Sequence, residues 1–146
     1  MPRDFSEVFL YNFEDLKEGQ TASVARTVSE ADILAFAGVS GDTNPVHVDQ
    51  EFAAGTMFKG RIAHGMLSAA YISTVLGTKL PGPGAIYLSQ SLKFKAPVKI
   101  GDTVVARVTV TALKAEKRRV TLSTVCTVGD TEVTVGEAEI LLPAHA

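Results

Sequence analysis

The second half of the chain alternates apolar and polar residues with a period of two. The alternation covers four segments, at residues 86–95, 104–112, 120–128 and 132–142. A period of two puts successive apolar side chains on the same face of a β-strand. Gly129-Asp130 lies between the last two segments and is typical of a tight hairpin turn. The pattern predicts four long antiparallel strands.

The first half of the chain carries a different pattern. Residues 21–28 include small and β-branched residues that predict a short strand. Ser29 follows as a predicted helix N-cap, and Asp32 completes a capping box three residues later. Farther along, residues 65–76 are uncharged and apolar on every side of a predicted helix. A helix of that kind belongs in the middle of a domain.

Together these elements predict an α+β domain in which an antiparallel, five-stranded sheet wraps around a long central helix. A short helix is expected at residues 49–54, before the central helix. We interpret residues 1–146 as a single domain, with a lead-in segment at 1–15 and a tail at 143–146. A chain of this length can bury a sizeable core without disulfides.

Composition and charge narrow the possible functions. The net charge of −2 gives no general attraction to nucleic acid or to acidic membranes. The single cysteine, Cys126, permits no internal disulfide, and the first residues lack the apolar segment of a signal peptide. The uncharged stretch 65–78 is shorter than the roughly 20 residues needed to span a bilayer. We therefore expect a cytoplasmic protein with no nucleic-acid or membrane partner.

The candidate chemistry begins in the loop after the first helix. Asp42 and His47 lie five residues apart around Pro45, which fixes its own φ and favours an extended conformation at Asn44. A carboxylate and an imidazole held on a stiff loop can take a proton from water and deliver one elsewhere. On spacing alone, an aspartate that caps a turn and a structural histidine are the more common explanation.

Gly65 is the second candidate, at the predicted start of the central helix. The first N–H groups of a helix have no intrahelical partner and can receive a carbonyl oxygen that becomes an oxyanion. A glycine leaves room for a substrate to approach the backbone. In isolation, a glycine required by the turn before the helix explains the residue as well. The adjacent His64 is assigned no catalytic role.

These segments, taken in order, resemble the MaoC-like (R)-specific enoyl-CoA hydratases. The resemblance extends from about Leu16 to Leu142, and its most specific part is the Asp-x-Asn-Pro-x-His loop. The matching segments are Asp-Thr-Asn-Pro-Val-His at 42–47, His-Gly-Met at 64–66 and Tyr-Leu-Ser-Gln-Ser-Leu-Lys-Phe at 87–94.

The resemblance implies a hot-dog fold, usually a homodimer that binds substrate at or near the subunit interface. The implied reaction is reversible addition of water to a trans-2-enoyl-CoA, giving the (R)-3-hydroxyacyl-CoA. Asp42 and His47 would activate the water and supply the proton at the α-carbon, in an order left open. The Gly65 N–H would polarise the thioester carbonyl. No metal or cofactor is implied, because coenzyme A is part of the substrate.

Four further residues are supporting or substrate-binding candidates, each with a structural alternative. Asn44 belongs to the loop motif, and Ser73 matches a serine near the site in related enzymes, although it also fits a helix-packing role. Leu76 could close an acyl tunnel, although a core leucine is the usual reading. Gln90 is the polar residue on the apolar face of its strand, so it needs a hydrogen-bond partner and could brace the site or a dimer interface.

Other functions on the same fold remain open at this point. A thioesterase is the first, but many of those carry a carboxylate on the central helix, and residues 65–78 contain none. A (3R)-hydroxyacyl-acyl-carrier-protein dehydratase has the same thioester chemistry. A non-catalytic acyl-thioester binding protein would not need both Asp42 and His47. The sequence does not give the preferred acyl length or the pathway. Four basic residues are available for the coenzyme A phosphates, and none is singled out: Lys59, Arg61, Lys93 and Lys95.

Overall fold

A computed structural model describes residues 3–145 of the chain. Residues 1, 2 and 146, which belong to the expected lead-in and tail, lie outside the described residues. The strands are β1 Thr21–Thr27, β2 Ile86–Gln90, β3 Lys93–Phe94, β4 Thr103–Lys114, β5 Arg119–Val128 and β6 Thr131–Leu141. The α-helices are α1 Glu30–Ser40, α2 Pro45–Val48, α3 Gln50–Ala54 and α4 Gly65–Thr78. Single turns of 3₁₀ helix cover Ser6–Val8, Phe13–Asp15 and Ala115–Lys117.

The strands form one antiparallel sheet in the order β1-β4-β5-β6-β2, with β3 paired to β6. This path contains five strands, the number that was expected, whereas the order of the strands was not predicted. The sheet is packed against α4, so the α+β architecture with a sheet around a long central helix is confirmed. The β5–β6 hairpin turns at Gly129, whose φ of +58° suits glycine.

One expected strand is divided. The alternation over residues 86–95 predicted a continuous strand, but the chain leaves the ladder at Ser91 and Leu92 and re-enters as β3. The cause is a close crossing: a Cβ on Gly136 would lie 1.8 Å from the Ser91 carbonyl oxygen. Only a glycine allows this approach. Because the divided segment contributes both β2 and β3, the sheet has six strands.

The core lies between α4 and the inner face of the sheet. The buried apolar side chains of α4 include Leu67, Tyr71, Ile72, Val75 and Leu76. Alternate residues of β4 and β5, such as Val104, Val108 and Leu122, belong to the same core. The expectation that α4 is enclosed on every side needs correction, because Met66, Ser73 and Gly77 are exposed along one face.

Helix α1 begins as its sequence predicts. The Asp32 N–H donates to Ser29 Oγ at 3.1 Å, and the Ser29 N–H donates to Asp32 Oδ2 at 2.9 Å. These hydrogen bonds lower the pKa of the Asp32 carboxyl. The helix ends at Gly41, which has a φ of +77°, and the chain then turns into the segment that carries Asp42.

In the described range of residues 3–145, no helix has the length and hydrophobicity needed to cross a membrane.

Candidate active site

The segment between α1 and α3 contains a helical turn that the loop expectation missed. Helix α2 starts at Pro45, and the Asn44 side chain caps it by accepting from the Val46 N–H at 3.1 Å. An asparagine N-cap followed by proline at the first helical position is a recognisable helix start, so the signal was present in the sequence. Asn44 therefore serves the local backbone, and α2 fixes the position of His47.

Asp42 lies on the short connection between α1 and α2. Its Oδ1 accepts a hydrogen bond from the Asn44 N–H at 3.2 Å, which leaves Oδ2 directed to the site. Oδ2 lies 4.0 Å from His47 Nε2, and the Asp42 side chain is 52% exposed. The structure therefore brings together the two residues that the sequence proposed as a pair.

His47 is buried and held in one tautomer. Its Nδ1 lies 2.8 Å from the carbonyl oxygen of Ile62. A carbonyl oxygen can only accept, so Nδ1 carries the proton, and Nε2 of the neutral ring presents its lone pair toward Asp42. The His47 backbone is fixed as well, because Arg61 donates to its carbonyl oxygen at 2.6 Å and also binds Glu30.

His64 lies directly against this pair. Its ring stacks on that of His47, with centroids 3.9 Å apart and an angle of 28° between the planes. Its Nε2 lies 2.9 Å from the Asp42 carbonyl oxygen, and the residue is only 2% exposed. Sequence reasoning gave His64 no role, since nothing in the spacing predicted contact with both members of the pair.

Asp42, His47 and His64 together have the residue types of a metal site. Each offers a ligand atom, and these atoms lie within 4.8 Å of one another. One nitrogen of each imidazole binds a carbonyl oxygen, which leaves one nitrogen of each ring free. Such a carbonyl contact is usual for metal-bound histidines as well as for histidines that transfer protons.

Gly65 is the first residue of α4, and His64 supplies no side-chain cap to the helix. Within residues 3–145, the Gly65 N–H has no hydrogen-bond acceptor. The Phe94 ring covers the glycine so closely that a Cβ would lie 2.8 Å from two ring carbons. The space beside the glycine is therefore filled by the Phe94 ring and not left open, contrary to the expectation that glycine makes room for substrate. The free N–H at the helix N-terminus can still receive a carbonyl oxygen.

A cleft of about 440 Å³ opens beside His47, His64 and Gly65, and the rest of its lining is mostly apolar. The remaining lining residues include Met57, Phe58, Met66, Ser68, Phe94 and Pro97. Lys95 also borders the cleft and is paired with Glu132 at 3.0 Å. Sequence reasoning missed Phe94 as a site residue, because its alternation indicated only a strand position.

A second cleft, of about 530 Å³, lies on the other side of Met66. It contains Ser73 and Gln90, which places two of the supporting candidates on one surface between α4 and β2. Met66 lines both clefts and therefore marks where they meet. Leu76 is not brought to either cleft: it is 1% exposed and packs in the core.

Gln90 has the partners that a half-buried amide needs. Its Nε2 donates to Thr124 Oγ1 at 2.9 Å and to the Ser91 carbonyl at 2.7 Å, and its Oε1 accepts from the Tyr87 hydroxyl. Burial raises the pKa of the Tyr87 hydroxyl, which keeps this donor protonated. The amide therefore braces the end of β2 where the strand breaks.

Cys126 is not a candidate nucleophile. The side chain is fully buried beneath α4, and its Sγ lies 3.6 Å from the carbonyl oxygen of Ser68. Burial raises the pKa of the thiol to about 12, so the reactive thiolate is scarce at neutral pH.

Comparison with known proteins gives the class to which this fold and site belong. The family model described as the MaoC like domain matches residues 12–135, and the chain belongs to that family.

Individual relatives match nearly the whole chain. The (R)-specific enoyl-CoA hydratase of Rhodospirillum rubrum is 63% identical over 139 residues, covering 95% of this chain and 96% of the relative. The 3-hydroxybutyryl-CoA dehydratase of Methylorubrum extorquens is 49% identical over 94% of this chain and 87% of its own. Among solved structures, an (R)-hydratase from A. caviae involved in PHA biosynthesis superposes with a TM-score of 0.86. It is 46% identical and covers 89% of this chain and 99% of its own.

Proposed function

We propose that this chain is an (R)-specific enoyl-CoA hydratase, which adds water reversibly to the double bond of a trans-2-enoyl-CoA. The observation that carries the proposal is that His47 and Gly65 line one mostly apolar cleft, while Asp42 Oδ2 lies 4.0 Å from His47 Nε2. The activity is the one named for the Rhodospirillum rubrum relative. The reaction needs one water and no redox partner, since a C–O bond forms at the β-carbon and a C–H bond at the α-carbon.

The Asp42–His47 pair suits the binding of that water. A water that donates to two acceptors at about 2.8 Å each spans acceptors roughly 4.4 Å apart. His47 Nε2 and Asp42 Oδ2 are 4.0 Å apart, and both present lone pairs. The pair takes a proton from the water as its oxygen attacks, and it supplies the proton that the α-carbon receives. Either group can act as the main base, because each presents a lone pair to the water.

The N-terminus of α4 stabilises the charge that develops at the thioester carbonyl of the substrate. When water attacks the β-carbon, negative charge develops on the thioester oxygen. The Gly65 N–H and the positive end of the α4 dipole stabilise that charge. The pair and the N–H thus act on opposite ends of one conjugated system, which favours addition to the double bond.

Hydrolysis of the thioester is less well supported. Helix α4 contains no aspartate or glutamate along Gly65–Thr78. Asp42 enters the site from the α1–α2 connection instead, where it faces His47 Nε2. The arrangement therefore favours hydration over thioester cleavage.

The second cleft provides a place for the acyl chain. It adjoins the first cleft at Met66, and its lining is mostly apolar apart from Ser73, Ser89 and Gln90. We assign the acyl chain of the substrate to this cleft, with Ser73 and Gln90 near its path. Its extent between α4 and β2 would then limit acyl length, whether the thioester carrier is coenzyme A or an acyl carrier protein.

The chain is expected to function as a homodimer. β2 is the last strand on one side of the sheet path, and its Ile86, Tyr87 and Leu88 are 46%, 39% and 41% exposed. Met66 on α4 is 53% exposed, so apolar side chains continue from the strand onto the helix. A second copy pairing along this edge would cover both. Sedimentation should give twice the 15.5 kDa chain mass, and a monomer mass would contradict the dimer.

A cytoplasmic location is also proposed, on the ground that acyl-CoA thioesters would be the substrate. Fractionation of the source cells tests it. The protein should appear with other acyl-CoA enzymes, and recovery in an extracytoplasmic fraction would contradict the proposal.

The function is tested by mixing the purified protein with crotonyl-CoA. The enoyl absorbance should fall, the product should be the (R)-3-hydroxybutyryl thioester by chiral chromatography, and no free thiol should appear. Rapid thiol release from crotonyl-CoA and butyryl-CoA would instead support a thioesterase. Unchanged absorbance with a folded protein, for both crotonyl-CoA and longer enoyl-CoAs, would overturn the proposal.

A further inference from the structure

The His64 side chain contacts the catalytic groups, but it has no part in the catalytic roles described above. It immediately precedes Gly65 at the start of α4, and its ring lies between those of His47 and Phe36. The centroid distances are 3.9 Å to His47 and 4.8 Å to Phe36. One side chain therefore touches the catalytic histidine, the first helix and the oxyanion end of the central helix.

Its hydrogen bond holds Asp42 from a different element. Among residues 3–145, the other hydrogen bonds of Asp42 run to Ser40 and Asn44, each two positions away along the chain. The bond from His64 Nε2 to the Asp42 carbonyl spans 22 positions and measures 2.9 Å. Local bonds shape the turn, but only the longer bond fixes the turn relative to α4.

The proton positions follow from the partners. The Asp42 carbonyl can only accept, so His64 Nε2 carries a proton and donates. His64 Nδ1 is buried and has no partner within the described range of the chain. The tautomer that fits these contacts therefore carries its proton on Nε2.

The geometry points to His64 as a positioning residue for hydration, a role that rests on the proposed function. Its Nε2–H holds the Asp42 backbone while its ring supports the His47 ring. Together these contacts keep Asp42 Oδ2 and His47 Nε2 directed at the same water. His64 acts through Asp42 and His47, and it exchanges no proton with the substrate.

Two substitutions separate the donor from the ring. His64→Gln keeps an N–H donor at a reach similar to Nε2 but cannot transfer a proton as an acid or base. His64→Phe keeps the ring and its stacking but loses the donor. If His64 positions Asp42, His64→Phe should lower kcat roughly 10- to 100-fold, because small misplacements of a reacting group have effects of that size. The KM for crotonyl-CoA should change much less.

The conservative variant decides between positioning and direct catalysis. His64→Gln should recover most of the turnover that His64→Phe loses. A His64→Gln variant as slow as His64→Phe would show that the N–H donor does not account for the loss, and it would overturn the positioning of Asp42 through Nε2–H. Wild-type kcat in a folded His64→Phe variant would overturn it too, since the residue would then be purely structural.

Coupling to Asp42 provides a second test. In an Asp42→Asn background, adding His64→Phe should slow turnover by less than about 3-fold, because the carboxylate that it positions is already gone. Independent roles would instead multiply the two losses. That multiplicative result would contradict an action through Asp42.

A crystal structure of the His64→Phe variant keeps the inference testable without turnover. The Asp42 turn should move so that its Oδ2 no longer faces His47 Nε2, whereas His64→Gln should retain the 4.0 Å approach. An unmoved Asp42 in the His64→Phe structure would overturn the positioning role. A wild-type protein inactive on every enoyl thioester would remove the proposed function but leave this structural comparison intact.

Discussion

The substitution Gly65→Ala examines the approach of the substrate to the helix N-terminus. The added methyl would lie 2.8 Å from two carbons of the Phe94 ring, whereas ordinary contacts are 3.4–4 Å. The ring must therefore move by several tenths of an ångström or more. Phe94 is 52% exposed, so its ring can swing outward without disturbing the core.

The effects on stability and on catalysis should differ in size. Overpacking of a fixed site lowers the free energy of unfolding by about 1–3 kcal/mol, but a mobile ring and the higher helix propensity of alanine offset much of that. We expect a net loss of less than about 2 kcal/mol. Loss of one oxyanion donor slows an enzyme by about 10²–10³-fold. Because alanine keeps the N–H and displaces only the Phe94 ring that lines the cleft beside it, we expect a smaller fall in kcat/KM, of about 10- to 100-fold.

The assay is the initial rate of enoyl absorbance loss with crotonyl-CoA, with Tm measured in parallel. Gly77→Ala is the matched control on the same helix, because a Cβ there meets nothing within 4 Å. It should keep the wild-type rate and gain up to about 1 kcal/mol of stability. Combining Gly65→Ala with Phe94→Ala should restore Tm but not the rate. A folded Gly65→Ala variant with wild-type kcat/KM would refute the claim that the packing of Phe94 on Gly65 shapes the approach to the helix N-terminus.

Three further outcomes concern the fold around the site. Cys126, with its pKa raised to about 12, should react with a thiol reagent only after denaturant unfolds the chain; rapid reaction of the native protein would show that it is accessible. Ser29→Ala should lower the free energy of unfolding by about 0.5–2 kcal/mol in urea titrations at neutral pH. The Ser29 backbone N–H, followed by the Ser29 hydroxyl, lowers the pKa of the Asp32 carboxyl, and the alanine variant keeps the N–H. The hydroxyl's share of this stabilisation is present above the unfolded-state pKa of Asp32 and is lost as pH falls through its folded-state pKa. The difference from wild type should therefore shrink in acid, and a difference that grows would contradict the capping box. Gln90→Leu leaves the fully buried Thr124 hydroxyl unpaired and should lower the free energy of unfolding by about 1–3 kcal/mol. Adding Thr124→Val to that variant should recover part of the loss. No recovery would argue against the Gln90–Thr124 hydrogen bond.

Local signals explain why most of the fold could be predicted from the sequence. The capping box at Ser29 and the uncharged stretch that became α4 depend on neighbours a few positions away. The two-residue alternation likewise reports which face of each strand is buried, but it carries no information on the order of the strands in the sheet. These features are properties of short segments, so their reading needs no knowledge of the tertiary arrangement.

The features that were missed depend on contacts between distant segments. The break at Ser91 exists because its carbonyl crosses Gly136, and no local property of residues 86–95 indicates that crossing. An apolar side chain such as Leu76 fits an acyl tunnel as well as the core, and only the tertiary packing shows that it lies in the core. The turn at Asn44-Pro45 is the exception. Its helix-start signal is local, but the sequence analysis predicted a loop there.

The same distinction applies to the candidate site. Asp42, His47 and Gly65 could be proposed because their residue types and their resemblance to a family indicated chemistry. The contacts of His64 and the Phe94 ring over Gly65 could not, since they depend on how the α1–α2 connection and β3 meet the start of α4.

The central claim is that Asp42 and His47 act as one unit on one water. The most direct test measures kcat for crotonyl-CoA hydration in Asp42→Asn, His47→Gln and the double variant. Each single change should lower kcat on the order of 100-fold or more, and the double variant should be little slower than the worse single variant. Wild-type-like turnover in either folded single variant, or losses that simply multiply in the double variant, would contradict the claim.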